Sequence, residues 1–162
     1  LNGIVHDLLV FARPRQLHLE AVDLDRLLRN TLHLLQRDPL FSNLHISFPD
    51  GEAVARIDAE QLQLVFTNVL MNAAQAMGGA GQIGISITRR ERQLVVGIAD
   101  RGPGMSAEVR DKVFEPFFTT KHRGTGLGLP IAKRIVEGHG GTIDIVAPDA
   151  GGTIVSIALP AA

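Results

Sequence analysis

Apolar residues change their spacing several times along the chain, and each change marks an element. Leu1, Ile4, Val5, Leu8 and Ala12 recur at helical intervals with Asn2, His6 and Asp7 between them, so 1–12 reads as the end of a helix. Arg13-Pro14 closes it, because the residue before proline is pushed out of the α region. A second helix is predicted over 23–37, with Leu24, Leu27, Leu28, Leu32 and Leu35 on one face and Asp38-Pro39 as its stop. Segments 45–48 and 54–57 read as short strands around the Pro49-Asp50-Gly51 turn. Asp58 is placed to cap a long helix over 59–77, with Glu60 near its positive end and Gly78-Gly79 closing it. The period then falls to two over 83–88, and a more continuous apolar strand spans 94–99. The charged turn 89–92 joins them as a hairpin. A last helix is predicted over 127–137, stopped by Gly138, followed by strands at 142–146 and 153–159 joined through 148–152. Hairpins argue against a doubly wound parallel sheet. The pattern predicts an α+β fold of two layers, a mixed and largely antiparallel sheet covered on one face by helices, with an N-terminal helical stub.

Composition narrows the function classes. The chain is 45% apolar and 20% charged, enough for a buried core. It has no cysteine, which removes disulfides, thiolate zinc sites and cysteine nucleophiles, and suits a reducing, cytoplasmic setting. A net charge of -1 provides no basic stripe, so no nucleic-acid partner is expected. No apolar run reaches the ~18 residues of a membrane span, so no membrane contact is expected either. The opening lacks a signal peptide's layout and begins at Leu1, which reads as an excised piece. Glycine is the anomaly: of 17 glycines, nine fall between Gly97 and Gly141, with no collagen-like period.

The phosphate-binding P-loop and the hydrolase elbow are absent. No Gly-Lys-Ser/Thr or Gly-x-Ser-x-Gly occurs, and the six histidines show no close metal-ligand pairing. Four clusters remain. Asn68 and Asn72, spaced i and i+4, project from one face of the long helix; they are either satisfied amides or hard oxygen ligands for a Mg²⁺ that already carries phosphates. Asp100-Arg101-Gly102-Pro103-Gly104-Met105 follows an apolar strand; it is either an ordinary turn or a carboxylate facing a pocket where glycines admit a flat ligand. Such a carboxylate accepts a hydrogen bond from an exocyclic amine, favouring adenine over guanine. Phe114-Glu115-Pro116-Phe117-Phe118 either packs a loop down or, with Lys121 three residues on, also brings a point charge to a terminal phosphate. Gly124-Thr125-Gly126-Leu127-Gly128-Leu129-Pro130 opens a helix, and its alternate glycines and free amides make an anion site.

In these clusters the chain resembles the catalytic, ATP-binding domain of bacterial sensor histidine kinases, within the GHKL ATPase superfamily. Residues 68–77 match its N box, 100–105 its G1 box, 114–118 its F box and 124–129 its G2 box, over roughly 22–160. The resemblance implies a Bergerat-type α/β sandwich with ATP between the long helix and a lid at about 106–123. It implies that Asn72 ligates Mg²⁺, Asn68 supports the metal–phosphate region and Asp100 reads the adenine amine. Gly102, Gly104 and Met105 then shape the base pocket, Lys121 meets the γ-phosphate, and Gly124, Thr125, Gly126, Leu127, Gly128 and Leu129 hold phosphates. Asn68 stands where the gyrase and MutL branch carries a Glu that activates water; an amide takes no proton, which implies transfer to a protein group. Arg101 stands where Asn is common and Gln75 where many members have Lys, the latter resembling nitrogen-regulation-type kinases.

The implied partners are a phosphoacceptor histidine hairpin and, through the full-length kinase, a response regulator; the parent is expected to be a homodimer and can be membrane-anchored. His6-Asp7 is not followed by the acceptor pattern, so 1–14 resembles the end of the hairpin's second helix, and the acceptor is expected upstream. Such a fragment would bind Mg·ATP without labelling itself. Two rival readings share the boxes: an anti-sigma-type serine kinase and a nucleotide-binding interaction module without transfer activity.

Overall fold

The computed structural model describes residues 16–48, 51–119 and 126–162. The predicted helical stub at 1–14, with His6, lies outside the described residues, as do Pro49 and Asp50. In chain order the elements are β1 (Glu20–Asp23), α1 (Leu24–Leu35), a 3₁₀ turn (Pro39–Phe41), β2 (Asn43–Ser47), β3 (Val54–Ile57), α2 (Ala59–Ala76), β4 (Ala80–Arg90), β5 (Gln93–Asp100), α3 (Ala107–Lys112), α4 (Gly128–Gly138), β6 (Thr142–Val146) and β7 (Thr153–Pro160).

Five strands form one mixed sheet in the order β2-β4-β5-β7-β6. Only β2–β4 is parallel; β4–β5, β5–β7 and β6–β7 are antiparallel. Alternation along these strands assigns the faces. Ile83, Ile85, Leu94, Val96, Ile98, Ile143, Ile145, Val155, Ile157 and Leu159 are buried, while Ser86, Asp144 and Val146 on the opposite face are exposed. The helices cover the apolar face, α2 against β5 and α4 against β6 and β7. Leu62, Val65, Phe66, Val69 and Leu70 of α2 meet Ile131, Ala132, Ile135 and Val136 of α4 within this one core. The two-layer α+β architecture is thus the observed one. Among the described residues no helix is long and apolar enough to cross a membrane.

The strands flanking Pro49-Asp50-Gly51 do not pair with each other. β2 joins the main sheet, whereas β3 pairs antiparallel with β1. That small sheet is tied to the main one by an Ala55–Ala161 bridge. β1 carries no alternating signal of its own, with two exposed and two half-buried residues.

Both long helices begin at aspartates. Asp23 accepts from Asp25 N–H at 3.1 Å, and Asp58 from Gln61 N–H at 3.2 Å. Asp58 also accepts His18 N–H at 3.0 Å on its other oxygen. Burial pushes the Asp58 carboxyl up, but the N–H groups of His18 and Gln61 outweigh this and hold it below 3.8. A depressed carboxylate contributes stability that is present above its unfolded value and lost as pH falls through the folded one. Asp58→Ala is therefore expected to cost about 1–2 kcal/mol at pH 7. Melting curves should show a gap of roughly 3–6 °C from wild type at neutral pH. The gap should close below the ordinary carboxylate value.

Candidate functional site

Residues of the motif clusters meet along the C-terminal half of α2. Asn68 and Asn72 lie on the helix, half-buried, among the core residues Val65, Val69 and Ala73. The Asn68 side-chain amide donates to the Gly128 carbonyl at 3.2 Å, placing this face against the start of α4. That helix begins at Leu127 with no side-chain cap, and Pro130 sits in its first turn. A cap-less N-terminus leaves backbone donors and the positive end of the helix dipole for an anion. Leu127 is itself fully buried and anchors the turn, while Gly128 and Leu129 are half-buried.

Gly126 explains one of the alternate glycines. Its φ is +72°, and a Cβ there would overlap the backbone of Phe117. Phe117 N–H donates to the Gly126 carbonyl at 3.0 Å, so the two segments are strapped together. Phe117, itself at φ 68°, leaves its ring 62% exposed, whereas Val113 is buried and Phe114 and Phe118 pack against the core. The bland packing reading thus holds for Phe114 and Phe118 but not for Phe117. The expected lid begins as the short helix α3, capped by Ser106 on Val109 N–H at 3.2 Å. Lys121, Gly124 and Thr125 lie outside the described residues.

Asp100 ends β5 at the edge of the same region. Its carboxylate accepts Gly102 N–H at 2.9 Å. Burial pushes the carboxyl above 3.8, and the backbone N–H groups of Gly102 and Thr153 pull it back without cancelling the effect. Gly102 is wedged between this carboxylate and the end of α2: a Cβ would stand 3.1 Å from Asp100 Oδ1 and 3.0 Å from the Ala76 carbonyl. Arg101 N–H points to Met77 Sδ at 3.4 Å. Met105 is half-buried and packs against the core.

Two residues absent from the motif reading support this segment. Gly152 N–H donates to the Gly102 carbonyl at 2.9 Å, and a Cβ on Gly104 would come 2.9 Å from the Gly152 carbonyl. Thr153 is buried and sits opposite Asp100 in the β5–β7 register. Their only sequence signal was the Gly-Gly-Thr run before the last strand, which reads as a strand connection. Gly141 also admits no side chain, because a Cβ would overlap the Ala158 carbonyl.

Comparison with known proteins gives matches along most of the chain. Residues 57–162 match the family model described as histidine kinase-, DNA gyrase B-, and HSP90-like ATPase. The chain is 35% identical over 162 residues to sensor histidine kinase ZraS of Escherichia coli (strain K12), covering 99% of this chain and 35% of that protein. It is 36% identical over 163 residues to signal transduction histidine-protein kinase AtoS of the same organism, covering 99% of this chain and 27% of that protein. Among solved structures, mycobacterial sensor histidine kinase MprB superposes with a TM-score of 0.81 at 30% identity, over 89% of this chain and 98% of that one. The catalytic domain of histidine kinase ThkA gives 0.81 at 29% identity, over 89% and 96%. The chain spans about a third of the length of the curated ZraS relative.

Proposed function

The chain belongs to the histidine kinase-, DNA gyrase B-, and HSP90-like ATPase family and has the fold of a histidine-kinase ATP-binding catalytic domain, and we propose that its site delivers the γ-phosphoryl of Mg·ATP to a histidine on the dimerisation hairpin of the full-length kinase. The observation that carries this reading is the Asn68–Gly128 bond, which sets the amide face of α2 against an uncapped helix start.

The adenine lies against Gly102 and Gly104, with its exocyclic amine donating to Asp100 and Met105 closing the base side. The phosphates run toward α4, where the amides of Gly126, Leu127, Gly128 and Leu129 receive them, joined from the adjoining segment by Gly124, Thr125 and Lys121. Amide oxygens are hard, neutral ligands suited to Mg²⁺ that already carries phosphate. Asn72 would supply one such ligand to Mg²⁺ arriving with the phosphates. When bound, Mg²⁺ neutralises charge on the phosphates. The chain's own contribution is positioning: Asn68 holds the start of α4, and having no proton-accepting carboxylate it leaves water unactivated. The phosphoryl therefore waits for a protein nucleophile, and a response regulator takes it onward from the parent homodimer.

Calorimetry tests the site first. Asn72→Ala is expected to weaken Mg·ATP binding by about tenfold or more while leaving Mg-free ADP binding nearly unchanged. Equal affinities for wild type and variant would remove Asn72 from the metal site. Adding an acceptor hairpin in trans should then yield acid-labile phosphate on the hairpin and none on this chain. Stable label on serine, or none anywhere despite tight binding, would favour the serine-kinase or the binding-module alternative.

A further inference from the structure

His139 is buried at the far end of α4, away from the nucleotide site, and none of the four motifs includes it. Its two ring nitrogens have different partners. Nδ1 lies 2.7 Å from the Ile135 carbonyl, so it carries the proton and donates. Nε2, left as an acceptor, takes the backbone N–H of Asp58 at 3.0 Å across 81 positions of sequence. Asp58 is the N-cap of α2, and its carboxylate holds Gln61 N–H with one oxygen and His18 N–H with the other.

The Asp58–His139 bond and the Asn68–Gly128 bond pin the same two helices at two points, the start and the middle of α2 and the two ends of α4. Asp58 precedes Asn68 on α2, whereas His139 follows Gly128 on α4, so the helices run antiparallel with pins about 15 Å apart. Two pins fix register, where one would allow sliding or pivoting. The register matters because α2 carries Asn68 and Asn72, while α4 presents its first turn to the phosphates.

We infer that His139 is a positioning residue: by holding the Asp58 amide it locks the register of α2 against α4 on the phosphate side of the site, and through the Asp58 carboxylate it ties that register to the chain arriving at His18. The inference rests on the nucleotide reading above for its effect on binding, but the lock itself exists in the free protein. The adenine side is built from the end of β5, the Gly152 turn and the C-terminal end of α2, beyond the second pin.

Two substitutions separate the two ring nitrogens. His139→Asn keeps a donor at the Nδ1 position for Ile135 but cannot reach Asp58, leaving a buried N–H unpaired. His139→Gln places its carbonyl near the Nε2 position, keeping the Asp58 bond at the expense of the Ile135 one. In the Asn variant, Mg·ATP affinity measured on folded protein should fall about three- to tenfold with adenosine affinity unchanged. The His18 and Asp58 amides should exchange with solvent faster in nucleotide-free protein, read residue by residue by NMR. The Gln variant should restore both. Equal Mg·ATP affinity in wild type and the Asn variant, equal losses for adenosine and Mg·ATP, or a Gln variant as impaired as the Asn one would each overturn the proposal. Should wild type bind no nucleotide, the function proposed above fails; unchanged His18 and Asp58 exchange in the Asn variant would still defeat the lock separately.

Discussion

Asp100→Asn is expected to cost roughly two orders of magnitude in ATP affinity while leaving the melting temperature at neutral pH unchanged or slightly raised. The two halves of that result have one cause. Asp100 sits half-buried at the end of β5, and burial raises its pKa. A carboxyl raised in the folded state contributes stability below its unfolded value and loses it as pH rises through the folded one. At neutral pH the charge is therefore a burden on the fold, and an uncharged isostere that still accepts Gly102 N–H relieves it. Binding suffers because the Asn amide nitrogen replaces an acceptor with a donor, which then faces the donor amine of adenine. A base with a carbonyl at that position reverses the mismatch. Inosine triphosphate should thus gain on ATP in the variant, measured by competition against a fluorescent nucleotide. Undiminished ATP affinity would remove Asp100 from base recognition. A large fall in melting temperature at neutral pH would show that its charge supports the fold.

Local rules made most of the frame legible. Asp58 with its following apolar period announced α2, and Gly78-Gly79 announced its end; the observed helix differs by one residue. β6 matches its predicted span, and the β4–β5 hairpin turns at Glu91-Arg92 as the charged run implied. What stayed hidden was nonlocal. β1 has four residues and no alternation, and it exists because β3 supplies its partner. β2 and β3 look like neighbours on a turn, yet β2 is taken into the main sheet by the parallel pairing with β4, formed only after α2 has crossed over. His139 among six histidines carries no local mark, because its partner lies 81 positions away. The motif clusters were readable for the opposite reason: their chemistry is packed into short runs. Even there the sequence named Asp100, Gly102 and Gly104 but not the turn behind them.

That turn carries the second large effect. Gly152→Ala is expected to destabilise the protein by about 2–4 kcal/mol and to weaken ATP binding by at least about tenfold, although Gly152 belongs to no motif. Its φ of +82° disfavours any side chain, and a Cβ would overlap the Asp100 carbonyl oxygen. Neither partner can yield cheaply, since Asp100 pairs with Thr153 in the sheet and Gly152 N–H is bound to the Gly102 carbonyl. Relief requires moving the end of β5, and with it Asp100, Gly102 and the Gly104 backbone that touches the Gly152 carbonyl. Melting should drop by roughly 5–15 °C, and affinity should fall in the protein that remains folded. Gly138→Ala is the control: an added methyl there meets nothing within 4 Å at the end of α4, so it should be neutral or gain about 0.5–1 kcal/mol. Were both substitutions neutral, the close approach of the β7 turn to Asp100 would not govern the base pocket. If Gly152→Ala lost stability but kept wild-type affinity, the turn would support the fold alone.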